Sequence, residues 1–222
     1  VSLYKSKSGE RGIFNREAAK KTVERLEDRR DPNYDFGTNP CSEIILRDRE
    51  FCNLSEVVVR PGDSATDLDR KVRLATILGT WQSTLTNFRY LSSEWKKNCE
   101  EERLLGVSLT GIMDSLVTNG QSCGLESLGR TLDGLRETAV KTNKDYAKKL
   151  KINQSAAITC VKPSGTVSQL VDAASGIHAR HGDNYIRTVR ADNKDPLCQF
   201  MKDQGFPNEA CVMKPDNVTV FS

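Results

Sequence analysis

An α/β fold is the class this sequence predicts, and three observations carry the prediction. Strand-like runs alternate with helix-like runs along the chain, which argues for parallel βαβ units with right-handed crossovers. One buried strand-like run, 156–161, passes through a tight glycine turn into a short helix. Aromatic residues make up only 6% of the 222 residues, so aliphatic side chains must do most of the packing.

The elements are justified in order. A Ser/Gly-rich turn and the apolar pair Ile13–Phe14 precede a polar helix over about 15–29, with Ala18, Ala19, Val23 and Leu26 on one face. "RRDPNYDFGTNP" is loop, punctuated by Pro32, Gly37 and Pro40. "SEIILRD" and "REFCNLSEVVV" read as two extended segments. Gly62 and Ser64 lead into a long helix, about 66–90, striped by Leu68, Val72, Ala75, Leu78, Trp81, Leu85 and Phe88. "RLLGVSLTGIMDSLV" predicts a strand, Leu105 to Leu109, turning at Thr110–Gly111 into a helix. A charged helix over about 125–150 follows. Then come the buried strand Ala156–Val161, a tight loop and a helix over about 166–174. "NYIRTVR" reads as a strand, "DPLCQFMKDQG" as a helix opened by Pro196, and "VTVFS" as a last strand. The chain starts at Val1 and stops in a strand-like run without a turn signal, so both ends look truncated.

Composition narrows the function classes. Basic and acidic residues number 33 and 30, a net charge of +3, with the two signs interspersed. A nucleic-acid polymer would need a basic patch or stripe, and none is visible. Seven cysteines at irregular spacing do not form a secreted disulfide framework. With two histidines and no CxxC, no metal site is expected. No signal peptide or long apolar run is present, which predicts no membrane segment and a reduced, cytoplasmic setting.

Two stretches carry candidate chemistry. In "TNPCSEIILRDREFCNL", residues Asn39, Cys41 and Glu43 alternate, so an extended segment would present an amide, a thiol and a carboxylate on one side. Pro40 stiffens the approach, and a returning strand would bring Cys52 near the same ligand. The same residues also fit buried small hydrophobes, a surface charge and a plain Asn–Pro turn. In "VKPSGTVSQL", Gly165 allows close backbone approach, Ser164 and Thr166 offer hydroxyls, and the first helical amides favour an anion. An ordinary capped βα turn fits this stretch as well, since it is neither a Walker A nor a GxGxxG pattern.

Taken together these motifs resemble the catalytic subunit of ribonucleotide reductases, above all the adenosylcobalamin-dependent type acting on ribonucleoside triphosphates. "NPCSEI" is similar to that family's finger-loop signature, "FCNLSEV" to its second-cysteine strand and "KPSGTVSQL" to its substrate-phosphate loop. "SGERGIFNRE", "RLLGVSLTGIMD", "GIHARHGDNYIRTVR" and "DPLCQFMKDQG" resemble its connecting segments, so the likeness runs from about residue 2 to the C-terminus. The resemblance implies a ten-stranded α/β barrel with a central finger loop. Residues 1–222 would be a single fragment of that barrel, with the finger at about 37–54 and the phosphate loop at about 162–168.

The resemblance also implies roles. Cys41 would be the thiyl site that takes the 3′-hydrogen of the ribose, with adenosylcobalamin as radical source. Glu43 would be the base on the 3′-hydroxyl, and Asn39 would hold the sugar hydroxyls. Cys52 would be one of two reducing thiols. Pro163, Ser164, Gly165, Thr166 and Val167 would bind the substrate phosphates. The implied partners are a ribonucleotide, a thioredoxin-like reductant and a missing N-terminal half-barrel carrying the second reducing cysteine. Arg11 departs from the family's SGEPG turn, where proline stands in its place. Cys99, Cys123, Cys160, Cys198 and Cys211 read as packing residues, and His178 and His181 as loop or surface residues. The alternative from the residues alone is a phosphate- or nucleotide-binding α/β module with structural cysteines and no activity of its own.

Overall fold

The computed structural model describes residues 1–7, 12–25, 30–120 and 124–222. The turn at Ser8–Arg11, the end of the helix expected over 15–29 and Cys123 lie outside the described residues. The chain divides into two compact units, Val1–Ala179 and Arg180–Ser222.

The first unit opens with α1 (Ser2–Ser6) and α2 (Arg16–Glu24), the latter capped by the Asn15 side chain on the Ala18 amide. A short antiparallel hairpin follows, β1 (Gly37–Thr38) and β2 (Ile45–Leu46), with Gly37 opposite Leu46 and Thr38 opposite Ile45. Then come β3 (Asn53–Val58), α3 (Ala65–Gln82), α4 (Ser93–Glu102) and β4 (Leu105–Thr110). β3 and β4 pair in parallel from Asn53–Leu105 to Val58–Thr110, so the expected parallel crossover unit is present. A 3₁₀ turn at Ile112–Asp114, α5 (Gly124–Leu150) and the single-turn α6 (Val167–Leu170) complete the unit. Its core lies between the β3–β4 sheet and helices α3 and α5, where Val57, Val59, Leu68, Val72, Ala75, Leu105, Val107, Leu135, Ala139 and Ile158 pack together.

The second unit is a three-stranded antiparallel sheet with one helix. β5 (Val189–Asp192) and β6 (Asn208–Ala210) flank β7 (Val218–Phe221), and α7 (Pro196–Asp203) joins β5 to β6. Asp195 caps α7 by accepting from the Leu197 amide, with Pro196 at the first turn as expected.

Several expectations are corrected. The long helix stops at Gln82 rather than near 90, because hydroxyls take over its last carbonyls: Ser83 Oγ donates to Thr80 O and Thr84 Oγ1 to Trp81 O. A separate helix, α4, then forms. The α3 stripe also breaks: Leu68, Val72 and Ala75 are buried, but Leu78, Trp81 and Leu85 are exposed, and Thr76, Gly79 and Thr80 face inward instead. The helix after Thr110–Gly111 is only the short 3₁₀ turn.

Residues 156–161 are not a regular strand. Leu105 N donates to Ala157 O, whereas Val107 N donates to Ile158 O, so two steps along β4 meet one step of its neighbour. That slip leaves a single parallel bridge, Val107–Thr159. The 184–190 strand begins only at Val189, since β7 offers partners only from Phe221 to Val218. The described strands outside the β3–β4 pair are antiparallel and form no parallel βαβ unit: β1 and β2 make a hairpin, and β7 returns between β5 and β6. The described sheets have two, two and three strands.

Candidate active site

The thiol segment folds as the tip of the β1–β2 hairpin. Asn39 N donates to Ile44 O at 3.4 Å, Ser42 N to Asn39 O at 3.0 Å, and the Asn39 side-chain oxygen accepts from Ile44 N at 3.1 Å. Ser42 takes a left-handed conformation with φ of 63°. The segment is therefore a closed turn, not the extended run whose alternation would have put three side chains on one face. Reversal at Ser42 takes Cys41 out of that row: Cys41 is exposed at the tip, while Asn39 turns back into the loop beside Glu43, whose side chain is buried at 1% exposure.

The hairpin rests on the β3–β4 sheet through Ile44. A methyl group on Gly106 of β4 would lie 3.1 Å from Ile44 Cδ1, 2.5 Å from Leu54 Cδ2 and 3.2 Å from Cys160 Sγ. Glycine is what lets these three side chains meet over the strand. Parity places Cys52, Leu54 and Glu56 on this face and Val57 on the core face.

Glu43 is the electrostatic centre. Lys162 Nζ donates to its Oε1 at 2.8 Å, while its Oε2 is buried with no hydrogen-bond partner. Burial pushes the carboxyl toward the neutral form, but the Lys162 hydrogen bond and charge, its own backbone amide and the Asn39 amide outweigh it. The net pKa falls below the ordinary value, and Glu43 stays ionised. The thiols around it go the other way. Burial first, then the Glu43 charge, raises Cys52, and the same two causes push Cys160 up to about 12. Both are held as thiols.

The second stretch leaves the same sheet. Gly165 is left-handed at φ 57° with open space around it, and Pro163, Thr166 and Val167 are exposed. Ser164 is buried, and its hydroxyl donates to Glu56 Oε2 at 2.9 Å. Ser168 Oγ closes the turn on Gly165 O at 2.8 Å. The helix expected over 166–174 lasts one turn because Asp172 turns left-handed (φ 48°) and the chain is then tied to β4. Thr110 Oγ1 donates to Ala174 O and accepts from Gly176 N, and Asp114 accepts from Ala174 N. Gly111 at the end of β4 is left-handed at φ 77° and lets the end of β3 come close, since a Cβ there would stand 2.5 Å from Val59 O.

A buried charge quartet anchors the base of the hairpin. Arg30 bonds Glu102 at 2.7 Å and Glu50 at 3.3 Å, and Arg47 pairs with Glu50 at 3.2 Å and Glu102 at 3.3 Å. The Arg30 and Arg47 guanidiniums each stand 5.0 Å over a ring, Phe36 and Tyr34 respectively.

Asn39 and Glu43 are thus brought together, with the Glu43 charge felt at Cys52 and Cys160. Lys162, Glu56 and the contact of Cys160 with this face were not expected. Lys162 has one available signal, a cation one step before the Pro–Ser–Gly turn and opposite in sign to Glu43. The even spacing of Glu56 in β3 from Cys52 just before it is the signal for Glu56. His178 and His181 are exposed, as expected. Among the described residues no group of three or more His, Cys, Asp or Glu is placed to hold a metal ion, and no helix is long and apolar enough to cross a membrane.

No family model matches the chain. It is similar to the adenosylcobalamin-dependent ribonucleoside-triphosphate reductase of Lactobacillus gasseri, 30% identical over 96% of this chain and 32% of that protein. The protein of the same name from Lacticaseibacillus paracasei is 29% identical over 99% of this chain and 32% of its own length. A crystal structure of a B12-dependent (class II) ribonucleotide reductase aligns with a TM-score of 0.65 and 29% identity, over 83% of this chain and 28% of that one. The chain spans about a third of the length of the curated relatives it matches.

Proposed function

This chain is a homologue of the adenosylcobalamin-dependent ribonucleoside-triphosphate reductases, and from that premise we propose that it carries the ribose-reducing centre of such an enzyme. The observation that carries the reading is the unpaired, buried Oε2 of Glu43, an ionised acceptor held next to the thiol-bearing hairpin tip. A buried carboxylate oxygen without a partner is costly, and a substrate hydroxyl would satisfy it.

In this reading the β1–β2 hairpin is the tip of the finger loop of a ten-stranded barrel, and the 222 residues act as part of a longer enzyme. Cys41, exposed at the tip, fits the role of the residue that meets the cofactor, because its S–H can be reached from outside. Adenosylcobalamin, when bound, would supply the radical chemistry at that thiol. The Cys41 sulfur then takes the 3′-hydrogen of the ribose, while Glu43 Oε2 accepts the 3′-hydroxyl proton. Asn39 orients the sugar through its amide. The 2′-hydroxyl leaves as water, Cys52 with a second thiol outside this chain gives up two hydrogens and two electrons and ends as a disulfide, and Cys41 and Glu43 then return the 3′-hydrogen and the hydroxyl proton to the sugar. A thioredoxin-like dithiol restores the pair. The Pro163–Val167 turn holds the triphosphate through amides and the Thr166 hydroxyl. The Ser164 hydroxyl is engaged by Glu56 and shapes the turn instead.

The test is ribonucleotide reduction by the full-length enzyme, with adenosylcobalamin, a ribonucleoside triphosphate and a dithiol reductant. C41S abolishes deoxyribonucleotide formation while nucleotide binding persists. Normal turnover in C41S would leave only the phosphate-binding module with structural cysteines.

A further inference from the structure

We propose that Lys162 is a positioning residue for Glu43: it pins one carboxylate oxygen so that the other points, unpaired, at the sugar. The inference rests on the reductase reading and goes beyond it by assigning a residue to the hinge between the phosphate turn and the base.

The geometry is specific. Lys162 Nζ lies 2.8 Å from Glu43 Oε1, and the two residues come from separate elements, the hairpin tip and the stretch entering the phosphate turn. The Glu43 side chain is 1% exposed and that of Lys162 is 25% exposed, so the cation reaches from the wet side to a dry anion. Only one oxygen is taken; Oε2 has no partner. A carboxylate bonded on one side by an ammonium has its remaining lone pairs fixed in direction.

The other groups around Glu43 do not substitute for Lys162. Asn39 contributes a neutral amide. Cys52 and Cys160 remain thiols, and Cys41 lies near enough to Lys162 to raise its pKa slightly further. Among the described residues Lys162 is the cation acting on the carboxyl, and removing it takes away the largest of the causes that oppose burial, which moves the pKa upward. Because Pro163 and Ser164 follow directly, a nucleotide seated on the turn also sets the position of the pin.

Two experiments test this. In the full-length enzyme, the acid limb of the kcat/KM pH profile moves to higher pH in K162M, so that the variant is about tenfold more impaired near pH 5.5 than near pH 8. K162R restores the wild-type limb. A K162M profile that merely scales down, with its limb unmoved, overturns the proposal. The second uses no activity: the ¹³C carboxyl resonance absent from E43Q is followed through a pH titration of the wild-type protein. Titration below the free-glutamate range supports the pin, and titration at or above it overturns the pin even if K162M fails to fold. Full turnover by E43Q would instead sink the reductase reading, leaving the titration to decide the Lys162–Glu43 pair separately.

Discussion

Glu43 shows how a single residue depends on what surrounds it. Burial pushes its pKa up, and the Lys162 hydrogen bond, foremost among the groups that oppose burial, helps bring the net value below the ordinary one. E43Q keeps the shape and removes the proton acceptor, so kcat of the full-length enzyme should fall by about 10²- to 10⁴-fold with little change in stability. The thiols divide just as sharply. Cys41 is exposed, whereas Cys160 is half-buried and pushed up to about 12 by burial and the Glu43 charge. Iodoacetamide at pH 8 should therefore alkylate Cys41 first and spare Cys160, as read by peptide mass mapping. Equal rates at both sulfurs would contradict this arrangement. The residues Asn39, Cys41, Glu43 and Cys52 were legible in sequence as types and order. Their disposition was not, because the left-handed turn at Ser42 breaks the alternation that the spacing suggests. Lys162 was hidden for a different reason: its partner is far away in the chain and only folding brings them together.

Between elements, two further contacts besides the Glu43–Lys162 pair hold the hairpin in place. At its tip Ile44 rests over Gly106, and at its base the Arg30–Arg47–Glu50–Glu102 quartet ties it to α4. G106A forces Leu54, Ile44 and Cys160 to shift and should cost about 1–3 kcal/mol, measured as a lower urea midpoint. In the quartet, burial first and then the Glu102 charge raise the Glu50 pKa to about 7. Its folded-state value thus lies above its unfolded one. Between those two values the folded protein binds the extra proton, so this contribution is complete at acid pH and is lost as pH rises toward and through 7. E50Q, which mimics the protonated form, should flatten the dependence of stability on pH between about 5 and 7. A steeper fall with rising pH in E50Q would refute the assignment. E102A, in contrast, leaves both guanidiniums short of a buried partner and should cost about 3–5 kcal/mol.

At the scale of the whole chain, elements with a local signal were the legible ones. The Ser64 capping box, the Asp195–Pro196 start of α7 and the long amphipathic α5 all match their sequence cues. Part of what failed was set by partners distant in sequence, namely the slip between β4 and 157–160, the late start of β5 and the face that α3 buries, while the early stop of α3 and the turns at Ser42 and Asp172 have local causes. The division at Ala179–Arg180 also has no composition signal, yet it makes a prediction. Residues 177–181 are exposed and belong to no helix or strand, whereas α3 and α5 pack against the sheet through the main core. Proteases need several residues of locally unfolded chain, which the exposed stretch supplies at little cost and the packed helices supply only on extensive unfolding. Limited trypsin digestion under native conditions should therefore cut after Arg180 well before any Lys or Arg of α3 or α5. Raising the urea concentration should speed the helix cuts steeply and the Arg180 cut only weakly. Helix cleavage as fast as cleavage at Arg180, with the same urea response, would mean that the two units do not differ in local stability from the stretch between them.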